Sequence, residues 1–133
     1  MNWIKLGLLF DPKLIESKGL TAALMPIAEI IDENNGIIRV YFSPRDEQNR
    51  SEVYFFEFNI YTLEILNISK NELYKHGKIG NFDDSGITLG SIVNHNNKKY
   101  LFYTGWNLTV NVPMNNSIGI AFYENNKFNR FGE

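Results

Sequence analysis

Apolar and polar positions alternate in short blocks along this chain, and turn residues close each block. Strands are expected near Met25–Ile31, Ile37–Ser43, Glu52–Asn59, Leu63–Ser69, Ile87–Asn94, Lys99–Trp106, Ser117–Tyr123 and Lys127–Phe131, because period-two alternation suits a pleated sheet with one buried face. The apolar run in Met1–Phe10 reads as a further strand. It is too short, and too interrupted by Lys5, for a leader peptide. Helical periodicity is nearly absent. Leu14–Met25 has room for one helical turn before Gly19 and Pro26 break it. The pairs Asn34-Asn35, Asn96-Asn97, Asn115-Asn116 and Asn125-Asn126 read as loop tips, since Asn tolerates left-handed backbone and caps its own turns.

The blocks repeat. Met25–Ile31, an Asn-Asn-Gly turn and Ile38–Ser43 match Leu89–His95, an Asn-Asn-Lys turn and Lys99–Thr104. A polar loop follows each hairpin and leads through Ser51 or Ser117 into another strand. Pairing Ser43 with Thr104 gives an offset of 61 residues, and pairing Ser51 with Ser117 gives 66. An offset that drifts only by loop length marks a repeated supersecondary unit. Each unit supplies four strands, the size of a propeller blade. The fold expected is all-β, with one partial propeller domain over 1–133, blade one about 25–69 and blade two about 87–131. A β-sandwich or meander of eight strands is the alternative. A propeller ring needs at least roughly four blades. Two units therefore suggest a piece of a larger protein, or copies that associate through exposed strand edges.

Composition narrows the chemistry. With 13 basic and 15 acidic residues, the net charge is -2, too balanced for a nucleic-acid footprint. No basic stretch points to an anionic membrane, and no run approaches the roughly 20 apolar residues of a membrane span. The absence of cysteine removes disulfides and thiolate metal sites and suits the cytoplasm. His76 and His95 stand alone, without a second ligand at metal spacing. No metal or cofactor is expected.

The blocks Phe82–Ile87, Tyr100–Asn107 and Asn116–Ala121, with Arg39–Asp46 followed by Asn49-Arg50-Ser51, resemble the glycosidase-like five-bladed propellers related to glycoside hydrolase families 32, 43 and 130. The closest likeness is to an uncharacterised branch of glycosyl hydrolase type, and it reaches about the N-terminal two-fifths of such a protein. The resemblance implies a sugar-binding funnel at one end of the ring axis and catalysis by carboxylates on the innermost strands. In such enzymes a general acid protonates the departing oxygen, and a second carboxylate activates water or attacks directly. The same register puts the first two expected carboxylate positions at Met25 and Thr88, where neither is a carboxylate. The third-blade acid has no counterpart in these residues. The resemblance thus leaves two readings: part of a protein that cleaves glycosidic bonds by hydrolysis or phosphorolysis, inactive alone, or a non-catalytic carbohydrate-binding or self-associating remnant.

Six residues are candidates for the site. Asp83 and Asp84 are the best carboxylate pair. Neighbours in extended chain face opposite ways, so Asp84 is expected to face a ligand while Asp83 closes the turn at Ser85-Gly86; the competing reading makes both turn residues. Arg45 offers a forked donor for hydroxyls or an acid, beside Asp46, or else both belong to a loop ion pair of small energetic weight. Trp106 supplies a face for a pyranose, with Asn107 as donor and acceptor. The competing role for Trp106 is core packing.

Overall fold

The structure, a computed structural model, describes residues 2–15 and 19–131. These described residues are all-β: eight strands in two four-stranded antiparallel sheets, each a meander in sequence order. Sheet one contains β1 (Thr21–Asp32), β2 (Ile37–Arg45), β3 (Tyr54–Asn59) and β4 (Glu64–Ile68). Sheet two contains β5 (Gly86–His95), β6 (Lys98–Asn107), β7 (Asn115–Glu124) and β8 (Lys127–Arg130). Every strand expected within 25–131 is present. Asn96, Asn97, Asn125 and Asn126 all take positive φ at the hairpin tips, as the turn chemistry requires.

Two expectations need correction, and a third shifts. Residues 2–10 form no strand. Apolar alternation is not enough without a neighbour to complete the backbone hydrogen bonds, and β2, not this segment, pairs with β1. Asn115 and Asn116 are not a loop tip. They begin β7, opposite Asn107 and Trp106. Among the described residues a helical turn lies at Pro12–Leu14, at the near end of the expected stretch, with Asp11 accepting from the Lys13 amide as N-cap and Pro12 starting the turn; residues 16–18 of that stretch lie outside the described residues.

The odd and even residues of β2 enter two different cores. Val40 and Phe42 join Tyr54, Phe56 and Phe58 on one face of sheet one, where Phe10, Ile15 and Leu20 cover them. Phe10 stacks on Phe56 with ring centroids 4.5 Å apart. Tyr41 and Val53 point the other way and meet Ile87, Leu89, Leu101, Tyr103, Ala121 and Phe128 of sheet two. Sheet one is therefore sandwiched between the N-terminal segment and sheet two. The far face of sheet two, with Val93, Phe102 and Ile118, remains exposed.

The first strands of the two sheets, β1 and β5, lie side by side. Polar contacts tie this junction at its lower end. Glu29 on β1 accepts from Tyr41 Oη at 2.7 Å, Lys99 Nζ at 2.7 Å and Asn94 Nδ2 at 3.3 Å. Burial of Glu29 works to raise its pKa, but the hydrogen bonds from Lys99, Tyr41 and Asn94 outweigh it, and the carboxyl titrates below its ordinary value of 4.5. A depressed carboxylate stabilises the fold above its unfolded pKa and loses that contribution as pH falls through the folded one. Glu29→Gln should thus cost about 1–3 kcal/mol at neutral pH. It should also flatten the loss of stability below pH 4.5. Urea unfolding of both proteins across that range checks this.

Candidate functional site

At the opposite end of the junction a single row of backbone pairing crosses both sheets. Thr21 pairs with Arg45. Arg45 pairs with Ser51, and Ser51 pairs in parallel with Gly86. Gly86 pairs with Trp106, and Trp106 with Asn116. Ser51 is buried, and its hydroxyl serves Ile87 twice: it accepts from the Ile87 amide at 2.9 Å and lies 2.8 Å from the Ile87 carbonyl as donor. Gly86, with φ +150°, allows this approach, because a Cβ there would collide with Ser51 Oγ and Trp106 Nε1.

This row brings Arg45 and Trp106 together across the seam. The Arg45 guanidinium sits 5.6 Å from the centroid of the Trp106 ring, within cation–π range. Trp106 Nε1 donates toward Ser51 Oγ at 3.4 Å. Both side chains are half-buried, so Trp106 is neither sealed in the core nor fully in solvent. Arg45 donates to the Asn49 carbonyl at 3.4 Å and enters no ion pair among the described residues. Asn107, the next residue of β6, is half-buried beside them. The result is an aromatic ring and a forked cationic donor set side by side at a half-buried strand end.

Asp46 does not join them. Its carboxylate accepts from the amides of Gln48 at 2.9 Å and Arg50 at 2.8 Å, and from Arg50 Nε at 2.9 Å. It closes its own loop.

Both carboxylates of the Asp83-Asp84 pair are occupied by groups of the chain itself. Asp84, expected to face a ligand, caps the turn: it accepts from the Gly80 amide and from Ser85 Oγ, each at 2.9 Å. Asp83 is fully buried. Arg130 Nη1 binds its Oδ2 at 2.5 Å and Tyr103 Oη donates to it at 3.2 Å. The Tyr103 hydroxyl also lies 2.8 Å from that of Tyr74. A Cβ at Gly77 or Gly105 would strike Asp83, so two glycines leave the space it occupies. Asp83 Oδ1 has no hydrogen-bond partner among the described residues, which makes Arg130 all the more necessary. Met25 sits exposed on β1 at φ 49°, and Thr88 of β5 pairs with Thr104 of β6.

His95 is exposed at a hairpin end. His76 Nε2 lies 3.6 Å from the Glu52 carboxylate. Among the described residues no three His, Asp or Glu side chains gather as a metal site, and no helix is long and apolar enough to cross a membrane.

Sequence reasoning did not assign Ser51 or Glu29 a role. Ser51 had a signal, since it anchors the repeat opposite Ser117. So did Glu29, the one carboxylate inside the apolar run 27–31.

No family model matches the chain. The chain is 40% identical over 125 residues to two proteins of Mycobacterium tuberculosis named as uncharacterised, MT1551 from strain CDC 1551 and Rv1502 from strain H37Rv. The alignment covers 93% of this chain and 41% of each relative. The chain thus spans about two-fifths of the length of the curated relatives it matches.

If Asp83 is a structural anchor, removing Arg130 strands a buried charge. Arg130→Met should destabilise by about 3–5 kcal/mol. Asp83→Asn, which keeps a polar group in place without the charge, should cost less. Chemical denaturation of the two variants measures the difference.

Proposed function

We infer that this chain binds carbohydrate at the mouth of the seam between its two sheets, with Trp106 as the stacking plate and Arg45 as the polar clamp. The observation that carries this reading is the guanidinium of Arg45 5.6 Å from the Trp106 ring at a half-exposed strand end. Asn107 adds a donor and an acceptor at the rim. A sugar presents an apolar C–H face and a ring of hydroxyls, and this pair answers both.

Chemistry by these residues alone has little support. Cleavage of a glycosidic bond needs two carboxylates flanking it, one acid and one base or nucleophile. Asp83 is neutralised by Arg130, Asp84 holds a turn, and Met25 and Thr88 have no ionisable side chain. We therefore assign glycosidase or phosphorylase activity, of the kind the resemblance suggests, to a longer protein of the relatives' size, in which further sheets bring the missing carboxylates. The binding face would then form one sector of a five-bladed funnel. The cysteine-free sequence suits a cytoplasmic setting.

Glycan-array binding followed by titration calorimetry tests the reading. Trp106→Ala and Arg45→Ala should each weaken binding of the best glycan about tenfold or more, a loss of roughly 1.4 kcal/mol. Asp46→Asn should leave affinity within about twofold. No release of reducing sugar should accompany binding. Affinity untouched by Trp106→Ala, or turnover by the chain alone, would refute this assignment.

A further inference from the structure

Sheets one and two are built alike, yet they differ at one edge. In sheet one the start of the third strand does not end its hydrogen bonding where β4 stops. The linker continues along it: Leu73 N donates to Val53 O at 2.7 Å and Val53 N donates to Tyr74 O at 2.9 Å. Leu73 and Tyr74 bury their side chains in the core between the sheets. The repeat offset of 66 carries Val53 onto Gly119 of β7.

At Gly119 nothing described does the same. The last strand, β8, pairs with β7 only over Ala121–Glu124, and Phe131 adds one bond, to Ile120 O at 3.4 Å. The outer edge of Asn115–Gly119 has no strand partner among the described residues. A cavity of about 700 Å³ opens beside it, walled by Phe82, Tyr103, Ile118, Gly119, Arg130 and Phe131. Ile118 is 84% exposed. Natural sheets guard open edges with Lys, Pro or an inward charge. Residues 115–120 contain none of these.

The complementary feature lies at the other end of the chain. Residues 2–9 form an arm without secondary structure, held to the body by Phe10 on Phe56. Trp3 is 90% exposed, and Ile4, Leu6 and Leu8 are nearly as bare. In an extended arm Ile4, Leu6 and Leu8 would share one face and Trp3 would lie on the other. An edge strand with apolar surface on both faces suits such a segment. Here the cavity, walled in part by Ile118 and Ile120, lies along the edge, and Phe102 is exposed on the open side of sheet two.

We propose that the arm 2–9 of one copy adds as a strand to the outer edge of Asn115–Ile120 in a second copy, occupying the place that Leu73–Tyr74 fill in sheet one. The main-chain bonds supply the attachment, and the alternating side chains supply register. This is independent of the carbohydrate reading, whose residues lie on the seam.

The chain has no cysteine, so single-cysteine variants report contact cleanly. Sedimentation velocity should show the wild-type chain associating at micromolar concentration. Leu6→Lys and Ile118→Lys, both at exposed positions, should each weaken association about tenfold or more while circular dichroism stays unchanged. Mixed Leu6→Cys and Ile118→Cys chains should form a disulfide-linked heterodimer, and Thr62→Cys in place of Ile118→Cys should not. Either a closed dimer or an open chain of copies supports the contact. A monomer at every concentration, association indifferent to both lysine variants, or a Leu6→Cys/Ile118→Cys double variant that links only within one chain would overturn it.

Discussion

The structure depends on how closely Ser51 approaches Gly86. Two four-stranded sheets pack face to face through Tyr41, Val53, Ile87, Leu101 and Tyr103, but apolar packing is non-directional and tolerates sliding. The Ser51–Ile87 bonds are directional and buried, and a buried polar group left without its partner costs about 1–3 kcal/mol. They fix the register of one sheet against the other. Because Gly86 has no Cβ, the row Arg45, Ser51, Gly86, Trp106 can pass from one sheet to the next. The positions of Arg45 and Trp106 follow from that row, so the geometry of the proposed sugar contact depends on a glycine and a serine that touch no ligand.

Charge is placed with the same logic. Glu29 ties β1 to β2, β5 and β6 at the lower end of the junction, and Asp83 ties the linker before β5 to Tyr103 on β6 and Arg130 on β8. Both carboxylates are committed to holding elements together. A carboxylate held this way is already occupied by its partners and is not free to reach a substrate. Arg45, by contrast, sits against an aromatic face without a counter-ion among the described residues. On the proposed reading, this division leaves the seam to recognition and not to catalysis.

Much of the fold was legible in the residues themselves. Alternation located the eight strands, the Asn tips of the β5–β6 and β7–β8 hairpins reported left-handed turns, and the two offsets showed one unit made twice. Legibility failed where a residue's state depends on a distant neighbour. The apolar arm reads as a strand, but a strand exists only if something pairs with it. Asn115 and Asn116 carry turn chemistry, but Trp106 and Asn107 opposite draw them into the ladder. The order of Asp83 and Asp84 turns on which one Arg130 reaches, 47 residues away for Asp83, and no local pattern encodes that. Arg45 and Trp106 were each visible as candidates, yet only the seam shows that they are partners.

Amide hydrogen exchange at Ile87 tests the central claim most directly. The account predicts that this amide is protected to nearly the stability of the whole domain, because opening it requires the two sheets to separate. It also predicts that Ser51→Ala speeds exchange at Ile87 and at the Trp106 indole together, while amides of the β2–β3 ladder keep their protection. Fast exchange at Ile87 in the unaltered chain, or a Ser51→Ala change that leaves the Trp106 indole undisturbed, would contradict it.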